Sequence, residues 1–445
     1  MSTYNYDVVG VGIGPSNLSL SALLSPIEEI KSLFLDQRKS FIWHEGMLMH
    51  EASIQVSFLK DLVTLVDPSN PYSFLNFLCE NKRLYRHSIA RFSAIKRKEF
   101  NQYYQWATEK IPNLKFDHQV NSVRFEYDHF VVQAAGNTYR SKNLVVATGM
   151  KPFVPAFGQK WLGQQAFHTS NFLKQGAQFA GKKVMVVGGG QSGAEIVNHL
   201  LHQSEDQLPS QIDWVTRRYN YLPLDDSPFT NELYTPNYSE YFFKLPEQSK
   251  KQLLEWQRLT SDGISEYLLR SIYERLYEIE VIDRYPRMCH LHPGCELKEI
   301  KKEQGQFQIM GRVPELSKHT LFNADIIVFA TGYHYTIPEF MSDLKGAFRD
   351  DCQLVSTNKD FSLNWDGPTD NKIFVQNGAR NIWGVPNPNL SLNAWRSAKI
   401  INSILEKEYY TIDNESSSFD WPDMEEAPMG KKRNGQVVMV PSTQR

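Results

Sequence analysis

Gly10-Val11-Gly12-Ile13-Gly14-Pro15 and Gly188-Gly189-Gly190-Gln191-Ser192-Gly193 are two glycine-rich turns in one chain. Each follows an apolar run that reads as a buried strand, residues 6–10 and 182–187, and each opens a stretch patterned as a helix. One such fingerprint is a weak sign. Two, each in register with its strand and helix, point to a chain that holds two dinucleotides face to face, the arrangement for electron transfer from a nicotinamide to a flavin. The expected fold is therefore α/β, with two Rossmann-like dinucleotide-binding domains.

In the first fingerprint, Gly10 permits the tight turn. Gly12 lets the backbone approach a pyrophosphate at the helix N-terminus, where free N–H groups and the helix dipole favour anions. Gly14 completes the turn, and Pro15 stands where a third glycine is usual. Proline fits there because its missing N–H has no partner in the first helical turn. Asp36 ends the next strand, residues 32–35, where an acid can hydrogen-bond a ribose hydroxyl. In the second fingerprint, Gly188, Gly190 and Gly193 keep the full spacing, with Gln191 and Ser192 between them. Its following strand, residues 212–216, ends in Arg217-Arg218 instead of an acid. Two cations suit the 2′-phosphate of NADPH and disfavour NADH.

The 445 residues suffice for two or three domains with proper cores. A formal net charge of −2 gives no reason to expect nucleic acid or an anionic membrane as partner. No run of about 18 apolar residues predicts a membrane span, and the first residues lack a signal-peptide layout. Four cysteines do not suggest an oxidised framework. The expected setting is cytoplasmic, with the oligomeric state open, a homo-oligomer included. The cluster Cys289-His290-Leu291-His292-Pro293-Gly294-Cys295 offers soft ligands. It reads, however, as a strand entering a Pro-Gly turn, which splits Cys289 from His290 across faces, and no metal is expected.

Residues 1–170 with 331–410 read as an FAD-binding domain. Residues 171–330 read as an NADPH-binding domain that contains a mostly helical, aromatic substrate subdomain at 225–280. The polar stretch 411–445 reads as a mobile tail. Strands ending in Ala147-Thr148-Gly149 and Ala330-Thr331-Gly332-Tyr333 flank the second domain, and a final helix is expected over 390–405.

The chain resembles the bacterial lysine and ornithine N-monooxygenases of siderophore biosynthesis. The resemblance lies in Trp43-His44-Glu45-Gly46-Met47, residues 55–62 (QVSFLKDL), 68–74 (PSNPYSF), 167–170 (FHTS), 188–195 (GGGQSGAE), 225–232 (DDSPFTNE), 325–333 and 389–398 (NLSLNAWRSA). It implies FAD at the first site and NADPH at the second. It also implies hydroxylation of a terminal primary amine by dioxygen through a flavin hydroperoxide, which retained NADP⁺ shields from water. By this resemblance Gln55 lies beside the flavin ring, and Lys60 and Asn231 hold the substrate, with Lys60 facing a carboxylate. Trp43, His44, Thr331, Gly332 and Leu390 fall in its cofactor-binding stretches.

The chain departs from the pattern in two places. Ser261-Asp262-Gly263-Ile264 replaces the Asn-x-Asn-Tyr of ornithine-type members, and Trp383 stands where many members have histidine near the flavin face. The DDSPFTNE stretch is ornithine-like. A lysine- or ornithine-like amino acid is the leading substrate, with cadaverine, putrescine and histamine as alternatives, the last suggested by the added aromatic. A flavin disulfide reductase would need a Cys-x-x-Cys pair that is absent. The fingerprint of a Baeyer–Villiger monooxygenase is also absent, and a non-enzymatic NADPH-binding flavoprotein would have no use for residues 225–280.

Overall fold

The computed structural model describes residues 5–92, 94–348, 356–412 and 417–422. Two large sheets dominate it, the first mixed and the second parallel. The first runs Leu114–Lys115, Ser32–Leu35, Tyr6–Val11, Asn137–Val146, His129–Ala134, Val120–Glu126, and Ile373–Val375 adds to Asn137–Val146. Its centre is parallel, with Val9 opposite both Leu33 and Leu144. These strands are near-continuous apolar runs because both faces are covered. The second sheet is parallel throughout, in the order Cys289–His292, Gln211–Val215, Lys183–Val187, Ile326–Phe329, Ala166–His168. A separate antiparallel sheet, Glu296–Glu303, Gln306–Val313 and Lys318–Ala324, packs on it through Leu297, Ile309 and Phe322. The chain crosses between the two large sheets twice, and the crossings pair as the short ladder of Lys151–Pro152 with Tyr333–His334.

The expected division at 170/171 needs correction on two counts. Ala166–His168 pairs with Ile326–Phe329, so the second unit begins before residue 166. Met47, Met49 and Ala52, from the first-domain loop, are buried in the core of the second sheet. Within 225–280, the helices Pro236–Lys244 and Glu247–Trp256 gather around Tyr234, Tyr238, Phe242 and Val385. The helix Glu266–Tyr277 instead lies along Gln191–Leu201, burying Leu268 and Ile272 beside Ala194 and Val197.

Trp383 does not face a flavin. Its ring is 1% exposed, lies 4.3 Å from Phe361 and 4.5 Å from Phe243, and its indole N–H donates to Thr357 Oγ1 at 2.8 Å. It is a core residue between the helical subdomain and the last helix, so the hint of a ring-bearing amine loses its basis.

The expected mobile tail, 411–445, lies mostly outside the described residues. Of its described residues, 411–412 and 417–422, the second run is packed: Trp421 stacks on Tyr241 at 5.0 Å and Ser417 Oγ donates to Glu232 at 2.8 Å.

The last helix, Asn393–Leu405, lies against Pro15–Leu24, burying Ala394, Ala398 and Ile401. It carries Arg396 into the interior beneath the first glycine turn. That guanidinium donates to Gln376 Oε1, Asn377 Oδ1, Asn387 O, Asn393 Oδ1 and Ser16 Oγ. Burial pushes its pKa down, and none of these partners is a carboxylate. Gln376 in turn donates to Asn17 Oδ1, whose amide donates to Gly12 O.

Candidate active site

The two glycine turns are built alike. Gly12 has φ +91° and Gly188 φ +130°, values that L side chains rarely adopt. A Cβ on Gly12 would lie 2.5 Å from Ala147 O, and one on Gly188 would lie 2.1 Å from Ala330 O. Each turn is thus seated against the alanine of an Ala-Thr-Gly segment on the neighbouring strand. The helices Pro15–Leu24 and Gln191–Leu201 begin at Gly14 and Gly190 with no side-chain cap. Their first N–H groups remain for an anion, so both turns fit the pyrophosphate of a dinucleotide. Gly10 and Gly193 are buried, and Gln191 and Ser192 are half-buried at the helix start.

Asp36 stands at the end of its strand as expected, but the protein itself occupies its carboxylate. Oδ2 accepts from Ile13 N at 2.7 Å and Arg38 Nη2 at 2.7 Å. Oδ1 accepts from Arg38 N at 2.8 Å and Arg38 Nε at 2.9 Å. Burial raises its pKa, and the Arg38 bonds and charge more than offset this, leaving it below the usual value. With four donors on two oxygens, Asp36 organises the turn and holds Arg38; a ribose hydroxyl would have to displace one of them.

The two arginines after the second fingerprint differ in situation. Arg217 is exposed and has no hydrogen-bond or ion-pair partner among the described residues. Arg218 is half-buried, and its Nη1 donates to Asp262 O at 2.8 Å and Gly189 O at 3.3 Å. Burial first, then the like charge of Arg258, lowers its pKa. Arg258, which the sequence does not mark, therefore joins a cationic cluster beside the second turn.

Trp43 is half-buried, with its ring 5.5 Å from Tyr104 and 4.6 Å from the His44 ring. His44 adopts the left-handed conformation at φ 52°. The residue as a whole is exposed, yet around the ring desolvation first and the Arg97 charge second push its pKa down to about 4. It is therefore neutral at pH 7. Gln55 is exposed and donates to Ser265 Oγ at 2.9 Å, a contact across the seam between the sheets. Ser265 N donates to Gln191 Oε1 at 2.9 Å, tying Gln55 to the second fingerprint.

Lys60 is half-buried, and burial lowers its pKa. Its Nζ lies 5.9 Å from the centre of the Tyr234 ring, on the turn that follows Asn231. No acid pairs with it among the described residues. The neighbouring Asp61 is already held by Val63 N, Thr64 N, Thr64 Oγ1 and Phe74 N at 2.7–2.9 Å. Asn231 ends the helix Pro228–Asn231, which Ser227 caps. Asn231 donates its amide to Asp226 O at 2.8 Å and Ser227 O at 3.2 Å.

Thr331 donates its hydroxyl to Phe153 O, and Gly332 O lies 3.0 Å from His168 Nε2, so both stand at the domain crossing. Leu390 is half-buried against the first core. Beyond the expected set, the structure adds Arg97, Glu195, Ser265 and Arg258. Glu195 sits one turn after Gln191 on the fingerprint helix and closes the GGGQSGAE stretch, the two signals in the sequence that could have found it.

A family profile for L-lysine 6-monooxygenase/L-ornithine 5-monooxygenase matches residues 4–335. The chain is 37% identical over 419 residues to the L-lysine N6-monooxygenase of Escherichia coli, covering 93% of this chain and 98% of that protein. The crystal structure of an FAD-bound cadaverine monooxygenase of the desferrioxamine biosynthetic pathway, from Erwinia amylovora, superposes with TM-score 0.88 at 30% identity. It covers 95% of this chain and 99% of that one. The ornithine N-hydroxylase of Kutzneria sp. 744, with reduced FAD, NADP⁺ and L-ornithine, gives TM-score 0.84 at 29% identity, over 90% and 99%.

Proposed function

The chain belongs to the L-lysine 6-monooxygenase/L-ornithine 5-monooxygenase family and is an N-hydroxylating monooxygenase dependent on FAD and NADPH; within that frame, we propose that its substrate is an amino acid with a terminal amine, L-lysine foremost. Lys60 carries this reading. A partly desolvated ammonium with no acid beside it is unfavourable unless a ligand brings the anion. Asp61 is fully engaged elsewhere, so a substrate carboxylate is the partner that fits. A decarboxylated diamine would place a second cation against Lys60. The 37% identity to a lysine enzyme favours lysine over ornithine.

In this reading, FAD reduced by NADPH supplies the oxygen-activating chemistry, with dioxygen as co-substrate. The protein does the rest. Lys60 anchors the carboxylate, and Asn231 fixes the loop along which the substrate lies and offers its Oδ1. Gln55, held by Ser265, borders the flavin side. The amine must be neutral to react, and a free lysine amine near pKa 10.4 is neutral in only about one molecule in a few thousand at pH 7. Exclusion of water around the bound amine would raise that fraction. The product is a hydroxylamine suited to an iron-chelating siderophore, made in the cytoplasm.

The test is hydroxylated product, not NADPH consumption, from lysine, ornithine, cadaverine, putrescine and histamine, with and without Lys60→Ala. Lysine should be the best substrate. Lys60→Ala should raise its KM by about tenfold or more, since a charge-assisted contact contributes about 1.5–3 kcal/mol, while NADPH-driven flavin reduction stays intact. Robust hydroxylation of cadaverine with none of lysine would overturn the substrate and leave the N-hydroxylation standing.

A further inference from the structure

Among the ion pairs that link the two units, the Arg97–Glu195 pair is the most buried of those described. Arg97 opens the helix Arg97–Lys110 on the flavin side, and Glu195 lies on the helix of the second fingerprint. Arg97 Nη2 donates to Glu195 Oε1 at 2.8 Å and Nη1 to Oε2 at 3.0 Å, a two-pronged contact. The side chains are 13% and 5% exposed. The same guanidinium donates to Met47 O at 2.8 Å and Ser53 O at 3.4 Å, so it also gathers the loop that carries His44 and Gln55. On the other side, Gln191 donates to Glu195 Oε1 at 3.1 Å and accepts from Ser265 N, whose hydroxyl accepts from Gln55. The contacts form a closed path: loop 47–55, Arg97, Glu195, Gln191, Ser265 and back to Gln55.

We propose that Arg97 and Glu195 are positioning residues, a clasp that fixes the NADPH-binding sheet against the flavin-side loop and so sets the register for hydride passage from nicotinamide to flavin. Neither side chain needs to touch a cofactor for this. The planar guanidinium and the carboxylate meet in the one geometry that serves both prongs, which makes the contact directional as well as attractive. Hydride transfer demands close approach, and a misplacement of about 1 Å can lower a rate by about 100-fold. Met47 and Met49, buried in the opposite domain's core, hold the loop by packing. The clasp adds the angular constraint that packing alone lacks.

The experiment uses the FAD-loaded enzyme without amine, so its outcome is independent of substrate identity. Anaerobic stopped-flow follows flavin reduction by NADPH and, separately, by dithionite, which needs no domain register. Glu195→Gln and Arg97→Gln should each lower the limiting rate with NADPH at least tenfold. FAD content, NADPH Kd and the dithionite rate should stay within twofold of the parent. The double substitution should lose no more than Arg97→Gln alone, because that variant already gives up the shared contact together with the bonds to Met47 O and Ser53 O. Glu195→Asp keeps the charge on a shorter stem and covers the case in which the neutral variants fail to fold; it should lose rate with NADPH alone. A wild-type NADPH rate in folded variants overturns the proposal. So does a loss shared equally by dithionite, or one explained by a weaker NADPH Kd.

Discussion

Arg217→Ala should cost this enzyme its preference for NADPH while leaving NADH untouched. The two arginines are unequally placed. Arg217 is exposed and unpartnered among the described residues, free to meet a 2′-phosphate, whereas Arg218 is committed to Gly189 O and Asp262 O. A charge-assisted contact contributes about 1.5–3 kcal/mol. Solvent screening at an exposed guanidinium favours the lower end, and about 1.4 kcal/mol is tenfold in an equilibrium constant. The NADPH Kd for flavin reduction should therefore rise about tenfold, more steeply at low salt, and the NADH Kd should move less than twofold. Arg218→Ala should behave differently. It frees the Gly189 turn from the 262 turn and should weaken both nucleotides together. Anaerobic titration of flavin reduction with each nucleotide measures this. Equal use of NADPH and NADH by the parent enzyme, or an equal loss of both in Arg217→Ala, would refute the assignment.

Gly12→Ala should yield protein that retains little FAD on purification, because the new Cβ meets Ala147 O at 2.5 Å in a backbone with φ +91°; bound flavin per chain reads this out. His44 has its pKa pushed down to about 4, below the unfolded value near 6.5. In that window the unfolded chain binds the proton first, so His44 makes no pH-dependent demand above about pH 6.5 and lowers stability as pH falls from there toward 4. His44→Asn, which tolerates the left-handed backbone, should flatten the fall in Tm between pH 6.5 and 4.5 relative to the parent. Trp383→Ala should cost about 3–5 kcal/mol of stability through its buried cavity, seen as a lower Tm, without changing the order of preference among amines.

The parts of this fold that depend on local chain chemistry were legible. Gly12 and Gly188 mark turns that only glycine adopts easily, and the apolar runs on either side carry the strand signal. Pairings between distant segments were not. Nothing in Ala166-Phe167-His168 says which of the two large sheets it joins, since that is decided by Ile326–Phe329 across a long crossover. The antiparallel sheet at 296–324 is polar and exposed on one face, so it left no continuous apolar run to read. Within the site, residue type was readable and employment was not. Asp36 is the expected acid at the expected place, but Arg38, two residues on, takes most of its lone pairs. Trp383 is an aromatic near a motif, and only the three-dimensional packing shows that its ring turns inward. Arg97 and Glu195 are 98 residues apart, beyond the reach of any local pattern.

The cage around Arg396 has a consequence for how the enzyme is made. Ser16, at the lip of the first phosphate turn, and Arg396, beneath it, are 380 residues apart in the chain. At synthesis rates of about 5–20 residues per second, the turn leaves the ribosome roughly 20–80 s before the guanidinium that underlies it. During that interval the nascent phosphate turn lacks both Arg396 and the helix that carries it. A chain that stops before the last helix lacks Arg396 and its hydrogen bonds to Ser16, Asn377, Asn387 and Asn393, so its first glycine turn forms without that support and truncation before residue 393 should lower the FAD bound per chain.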